Sequence, residues 1–431
     1  MSIQYRNLPV VLGGEKSVTL DHTSANRWPL LTHEDEEAVL RVMRDGNIST
    51  HPVIRELEQD YARLTGRRYA LAHNNGTAGL LAAFFALGLQ PGDEVIVPSA
   101  TFWASVVPML WLGAVPIFCE SESERLGPDP EDIEKKISSR TKAIVVVHLW
   151  GLPAKMAEIR AVARAHNLKI VEDASHAHGA TWNGQPCGSL GDISVFSLQG
   201  DKLAPGGEGG ILLCDAYEYY ERATCLGDIT RIIELQTPAR RFAGTSFGIK
   251  TRMAPLSAAI ARVQLKQLMA HNQWRNQNLE YLSHHLEPLG LHTFLAPPHI
   301  KRCYFEYIIR YRNEHKLLSL DSLIDALRQE GCQVSLPRYP LLHRQPFFTE
   351  GHYRDVVRLG PDIALPDYNE VRLPNTERVG ASLIKLPSFP NAHRDLLDQY
   401  IEAFEKVSRY AAEIASKYNS ASSTAHKEEK P

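Results

Sequence analysis

The order of apolar runs along this chain predicts an α/β fold: a large domain with a mostly parallel sheet flanked by helices, followed by a smaller α+β C-terminal domain. Three observations carry that prediction. Short apolar runs alternate with helical patterns of roughly ten residues, an arrangement that covers both faces of a parallel sheet. After Pro255 the alternation gives way to one long helical stretch and then to a mixed strand and helix unit. The length, 431 residues, leaves room for two cores.

Residues 1–50 read as an arm with one helix. Thr32-His33-Glu34-Asp35 resembles a capping box, and Val39, Leu40 and Met43 follow at helical spacing. A helix over 53–65 leads into a strand at 69–73, and a helix over 77–87 stops at Gly88. Strands at 94–98, 115–119, 143–148 and 169–172 alternate with helices at 103–112, 129–137 and 155–166. Two further strands, 192–197 and 211–214, flank Lys202. The large domain therefore spans 51–254, and a linking helix spans 255–289. The small domain spans 290–418, with strands at 304–311 and 333–337 and helices at 321–330 and 394–418. Residues 419–431 are polar and poor in apolar side chains, which predicts a disordered tail.

Composition excludes several classes. The formal charge of −3, from 47 basic and 50 acidic side chains, offers no basic field for nucleic acid. No apolar run reaches the roughly 18 residues of a membrane helix. The first residues hold too short an apolar stretch for a signal peptide, and Pro9 interrupts it. A cytoplasmic protein with neither nucleic-acid nor membrane partner is expected. Cysteines at 119, 187, 214, 225, 303 and 332 show no CxxC spacing, so buried free thiols are expected rather than disulfides or zinc. His176/His178 and His284/His285 lack companion ligands, so no metal site is expected.

Strand ends of an open parallel sheet face one crevice, and three of them carry distinctive groups. In His73-Asn-Asn-Gly-Thr-Ala78 a strand runs into a helix start, where Gly76 and Thr77 present N–H groups and a hydroxyl suited to a phosphate. An ordinary helix cap by Asn75 or Thr77 is the plainer alternative. Asp173 follows an apolar strand and could pair with a protonated ring nitrogen or cap a helix; Glu172 points the other way by strand alternation. At about 3 Å and an effective dielectric near 20, such a pair gains about 5.5 kcal/mol before desolvation. Lys202 enters a glycine-rich turn, Pro205-Gly-Gly-Glu-Gly-Gly210, with Ser197 five residues earlier. A lysine inside an α/β core is costly, and a Schiff base with an aldehyde cofactor is one reason to place it there. Anion cradle, carboxylate and lysine together form the layout that pyridoxal 5′-phosphate needs. Phe102 and Trp103 are candidates to cover its ring.

These residues resemble a known family. Asn75-Gly-Thr-Ala-Gly-Leu, Pro91-Gly-Asp-Glu-Val-Ile-Val-Pro-Ser-Ala-Thr-Phe102, Glu172-Asp-Ala-Ser-His-Ala-His-Gly-Ala180 and Gly207-Glu-Gly-Gly210 are similar to the DegT/StrS-type sugar aminotransferases over about residues 30–408. The resemblance implies an aspartate-aminotransferase-like fold of type I and an amino transfer from glutamate or glutamine to a keto-sugar or keto-cyclitol. It implies Lys202 as Schiff-base lysine and Asp173 as ring-nitrogen partner. It implies Gly76, Thr77 and Ser197 at the phosphate, Phe102 stacked on the ring and His176 at a cofactor contact where relatives often carry Gln. Lys250, where relatives usually carry Asn, would reach the cofactor of a neighbouring subunit, so a homodimer is expected. Arg338-Tyr-Pro-Leu-Leu-His343 resembles a loop bordering the substrate pocket, which makes Tyr339 and His343 candidate substrate contacts. Gln199 resembles the cyclitol and aminobenzoate relatives more than the nucleotide-sugar ones. A sugar dehydratase and a non-catalytic cofactor-binding regulator are the alternatives on this fold. Dehydratase relatives carry histidine in place of the lysine.

Overall fold

The computed structural model describes residues 7–312, 317–357, 363 and 365–428, with side chains to residue 420. Strands β1 (Tyr69–His73), β2 (Glu94–Pro98), β3 (Val115–Cys119), β4 (Thr141–Val147) and β5 (Lys169–Asp173) are followed by a hairpin, β6 (Thr181–Trp182) and β7 (Gln185–Pro186). Then come β8 (Ile193–Ser197) and β9 (Gly210–Cys214). Seven of these form one sheet in the order β1-β9-β8-β5-β4-β2-β3. Only β9 runs against its neighbours, β1 and β8; the other pairs are parallel. The C-terminal ends of β1, β2, β5 and β8 therefore share one edge. Every residue of β2 and β9 is buried, as expected of strands covered on both faces.

The helices fill those faces. Val53–Thr65 buries Ile54, Leu57 and Tyr61 on one side and ends at Gly66, whose φ of 73° provides the left-handed stop. Gly76–Ala86 is apolar all round and sits inside the large core. The segment expected as one helix over 103–112 is two 3₁₀ turns, Trp103–Ser105 and Val107–Leu112. Pro108 explains the break, because its ring would clash with the carbonyl one turn earlier.

The long helix Pro255–Leu286 links to the smaller unit. There β10 (Leu291–His292), β12 (Tyr307–Tyr311) and β13 (Leu383–Leu386) form an antiparallel sheet, and β11 (Ile300–Lys301) pairs back to β6. A second core gathers Leu279, Leu282, Tyr304, Tyr307, Leu397, Tyr400 and Phe404. The stretch expected as a strand at 333–337 makes only an isolated bridge, Ser335 to Lys385; Pro337 has no N–H to extend it.

The leading arm packs on this second core. Glu330 accepts from the N–H groups of Val10 and Ser17 and pairs with Lys406 at 2.9 Å. The chain end differs from expectation. Arg394–Arg409 is followed by a further helix, Ala411–Glu428, where composition predicts a disordered tail from 419. Buried Ile414 and the Lys417 bond to the Val11 carbonyl dock its first turns on the arm. All six cysteines are buried and unpaired. No helix among the described residues is long and apolar enough to cross a membrane.

Candidate active site

At the shared strand edge lies a cavity of about 650 Å³, lined among others by Gly76, Thr77, Phe102, Asp173, His176, Ser197, Lys202 and Tyr339. Its first wall is the start of the helix Gly76–Ala86. Asn75 caps that helix, its side chain accepting from Ala78 N–H at 2.8 Å. The cap reading and the anion-cradle reading therefore coexist, since Asn75 serves the third N–H and those of Gly76 and Thr77 have no partner within the helix. Glycine at 76 is required by close approach: a Cβ there would lie 2.8 Å from the Ser197 Cβ. Gly210 is constrained in the same way, 2.5 Å from the Asn75 carbonyl oxygen. The ends of β1, β8 and β9 meet only because both positions lack a side chain.

Asp173 ends β5 with 6% of its surface exposed. Its Oδ2 accepts from Ser105 Oγ at 2.6 Å and its Oδ1 from Ser175 N–H at 3.1 Å. Ser105 in turn meets Thr101 Oγ1 at 2.9 Å. The carboxylate is thus aimed before any ligand arrives. Nothing in the residue types singles out Ser105, which lies 68 positions from Asp173.

Lys202 is 8% exposed. Burial lowers its pKa to about 8; Asp173 and Glu306 work against that shift and Arg338 adds to it. Its Nζ lies 4.2 Å from the centre of the Phe305 ring. Its carbonyl accepts from Trp28 Nε1–H at 3.0 Å, so the leading arm holds the lysine's backbone. Trp28 and Phe305 were not among the sequence candidates. Both act across long separations in sequence that no local pattern reveals.

His176 stacks on Phe305, with ring centres 4.3 Å apart and planes 13° apart. Its Nδ1 accepts from Trp150 N–H at 3.3 Å, so its proton sits on Nε2 and faces Tyr339 Oη at 3.2 Å. Burial, and then the charges of Lys202 and Arg338, push its pKa well below the usual value and keep it neutral. Phe102, 42% exposed, stands beside Trp103 and Tyr339 at the mouth. Ser197 and Thr77 complete the cradle end.

Two candidates lie elsewhere. Lys250 is exposed and outside the cavity of its own subunit. His343 is a correction. It is buried, its Nδ1 bonds Ser99 Oγ at 2.7 Å and its Nε2 bonds Glu377 at 2.9 Å. Both ring nitrogens are committed and the residue does not line the cavity, so it braces the loop rather than touching substrate.

Among the described residues one buried group, His148, Glu172 and Cys187, has ligand atoms within 4.8 Å of one another. Its polar bonds are already made. Glu172 accepts from His148 Nε2 at 2.9 Å and from the N–H groups of Gly188, Leu190 and Gly191, while His148 Nδ1 accepts from Ala154 N–H. This is a structural polar core.

The cavity fits pyridoxal 5′-phosphate on its own chemistry: an anion cradle that tolerates no Cβ, an oriented carboxylate and a buried amine with a lowered pKa. The comparisons give the family. Residues 29–405 match the model of the DegT/DnrJ/EryC1/StrS aminotransferase family. A putative L-glutamine:3-amino-2,3-dideoxy-scyllo-inosose aminotransferase of Micromonospora echinospora is 32% identical over 329 residues, 74% of this chain and 78% of that protein. Among solved structures, an aminotransferase from Psychrobacter cryohalolentis superposes with a TM-score of 0.78 at 28% identity, covering 88% of this chain and 98% of the other. DesI in the presence of its TDP-sugar product gives 0.78 at 26% identity, covering 96% of this chain and 100% of the other. The chain belongs to the DegT/DnrJ/EryC1/StrS aminotransferase family and is an aminotransferase on the type I fold.

Proposed function

We propose that this aminotransferase moves an amino group from glutamate or glutamine to a keto-sugar or keto-cyclitol in amino-sugar, cell-surface glycan or secondary-metabolite biosynthesis. Pyridoxal 5′-phosphate is its cofactor. The observation that carries the reading is a buried Lys202 in one cavity with oriented Asp173. The bound cofactor supplies an electron sink that makes a proton on the donor's α-carbon removable.

The chain's own residues do the rest. Gly76, Thr77 and Ser197 hold the phosphate, and Phe102 covers the ring. His176, fixed between Trp150 and Tyr339, would be held ready to meet the cofactor. Asp173 keeps the ring nitrogen protonated, and the Ser105 bond keeps Asp173 in place. Lys202 anchors the cofactor. Once displaced, its amine takes the proton from the donor's α-carbon and returns one to the opposite end of the transfer. Burial lowers the pKa of that amine and so favours the neutral form that takes up a proton. Lys250, exposed on its own subunit, reaches the phosphate of a second copy in a cytoplasmic homodimer. Tyr339 borders the acceptor.

The test is spectroscopic and chemical. Purified protein given the cofactor should absorb in the visible and, with glutamate or glutamine, convert a keto-cyclitol to an amine detected by mass. Lys202→Ala should lose the band and the turnover. A colourless wild-type protein after cofactor addition would refute the reading.

A further inference from the structure

Among the described residues that line the cavity in one subunit, Lys202 and Arg338 carry positive charge. Lys202 is committed to the cofactor. Every amino-acid donor brings a carboxylate, which needs a cation of its own in a partly dry site. Arg338 is the other cation that this subunit places at the cavity, and its surroundings suit it to that task. Its Nε pairs with Glu306 at 2.5 Å. Glu306 is buried and shared with Lys385 at 2.7 Å, which fixes the back of the guanidinium. The front is held loosely. Nη1 meets Asp201 Oδ2 at 3.2 Å, and the Asp201 side chain is 57% exposed, the kind of pair worth little. The guanidinium stands over the same Phe305 ring as the lysine amine, at 5.6 Å against 4.2 Å. Amine and guanidinium thus lie against one ring, so a donor reacting beside Lys202 has a cation within reach of its carboxylate.

We infer that Arg338 binds the carboxylate of the amino donor, and that Asp201 is a stand-in carboxylate that the donor displaces. This rests on the aminotransferase reading and deepens it. The arginine fork suits the exchange, because it can turn two parallel N–H donors to an incoming carboxylate while Nε stays tied behind. Arg338 selects donors that carry a carboxylate, and Asp201 sets how readily they enter.

Holoenzyme loaded with pyridoxal 5′-phosphate would be mixed with L-glutamate, L-glutamine or the α-carboxamide of each, and the decay of the visible band followed in a single turnover. Arg338→Gln should raise the half-saturating concentration of the amino acid by about 30-fold, the worth of a hydrogen bond between charged groups, and shrink the preference over the carboxamide by a similar factor. Arg338→Lys should restore part of both. Asp201→Asn should lower the half-saturating concentration by about threefold, as removal of a weak competing pair would. Cofactor content of each variant shows that the fold is intact. If Arg338→Gln keeps the full preference for the carboxylate, or Asp201→Asn binds the donor more weakly, the inference is overturned. If wild-type holoenzyme responds to neither donor, the aminotransferase reading itself has failed instead.

Discussion

Glu172 and Asp173 are neighbours in sequence, both buried at the end of β5, yet they belong to different regions of the molecule. Glu172 points into the sheet's packed face, where His148 and three backbone N–H groups use its oxygens. Burial raises its pKa, but the His148 bond and charge, the Gly188 N–H and the Arg67 charge outweigh that and hold it below the usual carboxylate value. Asp173 points into the cavity, held by Ser105 and Ser175. The difference is one of vacancy. A carboxylate saturated by fixed donors stabilises a fold, whereas one aimed by a few donors into open space can bind something else.

That contrast can be broken at either residue. The largest effect is expected on the cavity side: Lys202→Ala should lower turnover on the order of 10⁴-fold, since anchor and proton carrier are lost together. Asp173→Asn should cost about 10³-fold in the rate of donor conversion while leaving the thermal midpoint nearly unchanged, as the amide can still meet Ser105. Glu172→Gln should do the reverse. It should cost about 3 kcal/mol of stability, measured by denaturant titration at pH 7, with activity per folded molecule retained. Because the folded-state pKa of Glu172 is depressed, its contribution is present above the unfolded pKa near 4.5 and lost as pH falls through the folded value. The gap between variant and wild type should therefore narrow below about pH 4.5. Ser105→Ala should be milder, about tenfold in rate, with the cofactor still bound.

The smallest effect sharpens the comparison. Only neutral Lys202 can capture the cofactor, and its folded pKa of about 8 lies below the ordinary 10.5. The rate of colour development in cofactor-free enzyme should rise with pH through a midpoint near 8. A midpoint near 10.5 would mean that the amine is not desolvated.

The large domain was legible because strand periodicity and turn chemistry are local. The same period that placed Asp173 in the crevice turned Glu172 away from it. The conjunction of Gly76, Asp173 and Lys202 was legible because each lies at or shortly past the end of a strand. Ser105, Trp28, Phe305 and Glu306 were not, because their contacts join segments far apart in sequence. His343 was overread: a histidine in a pocket-bordering loop looks functional until Ser99 and Glu377 are seen on its two nitrogens. The single helix over 103–112 failed at Pro108, a local signal that the apolar pattern masked.

The indole of Trp28 reaches the carbonyl of Lys202 from just outside the span that matches the family. A protein trimmed to begin at Pro29 would keep every group that lines the cavity, though the second core would give up Val11, Val18 and Ala25. It would lose the clasp on the loop bearing its reactive amine. Such a shortened enzyme should hold its colour yet bleach faster under competing amines, so the boundary chosen for expression would itself set the measured activity.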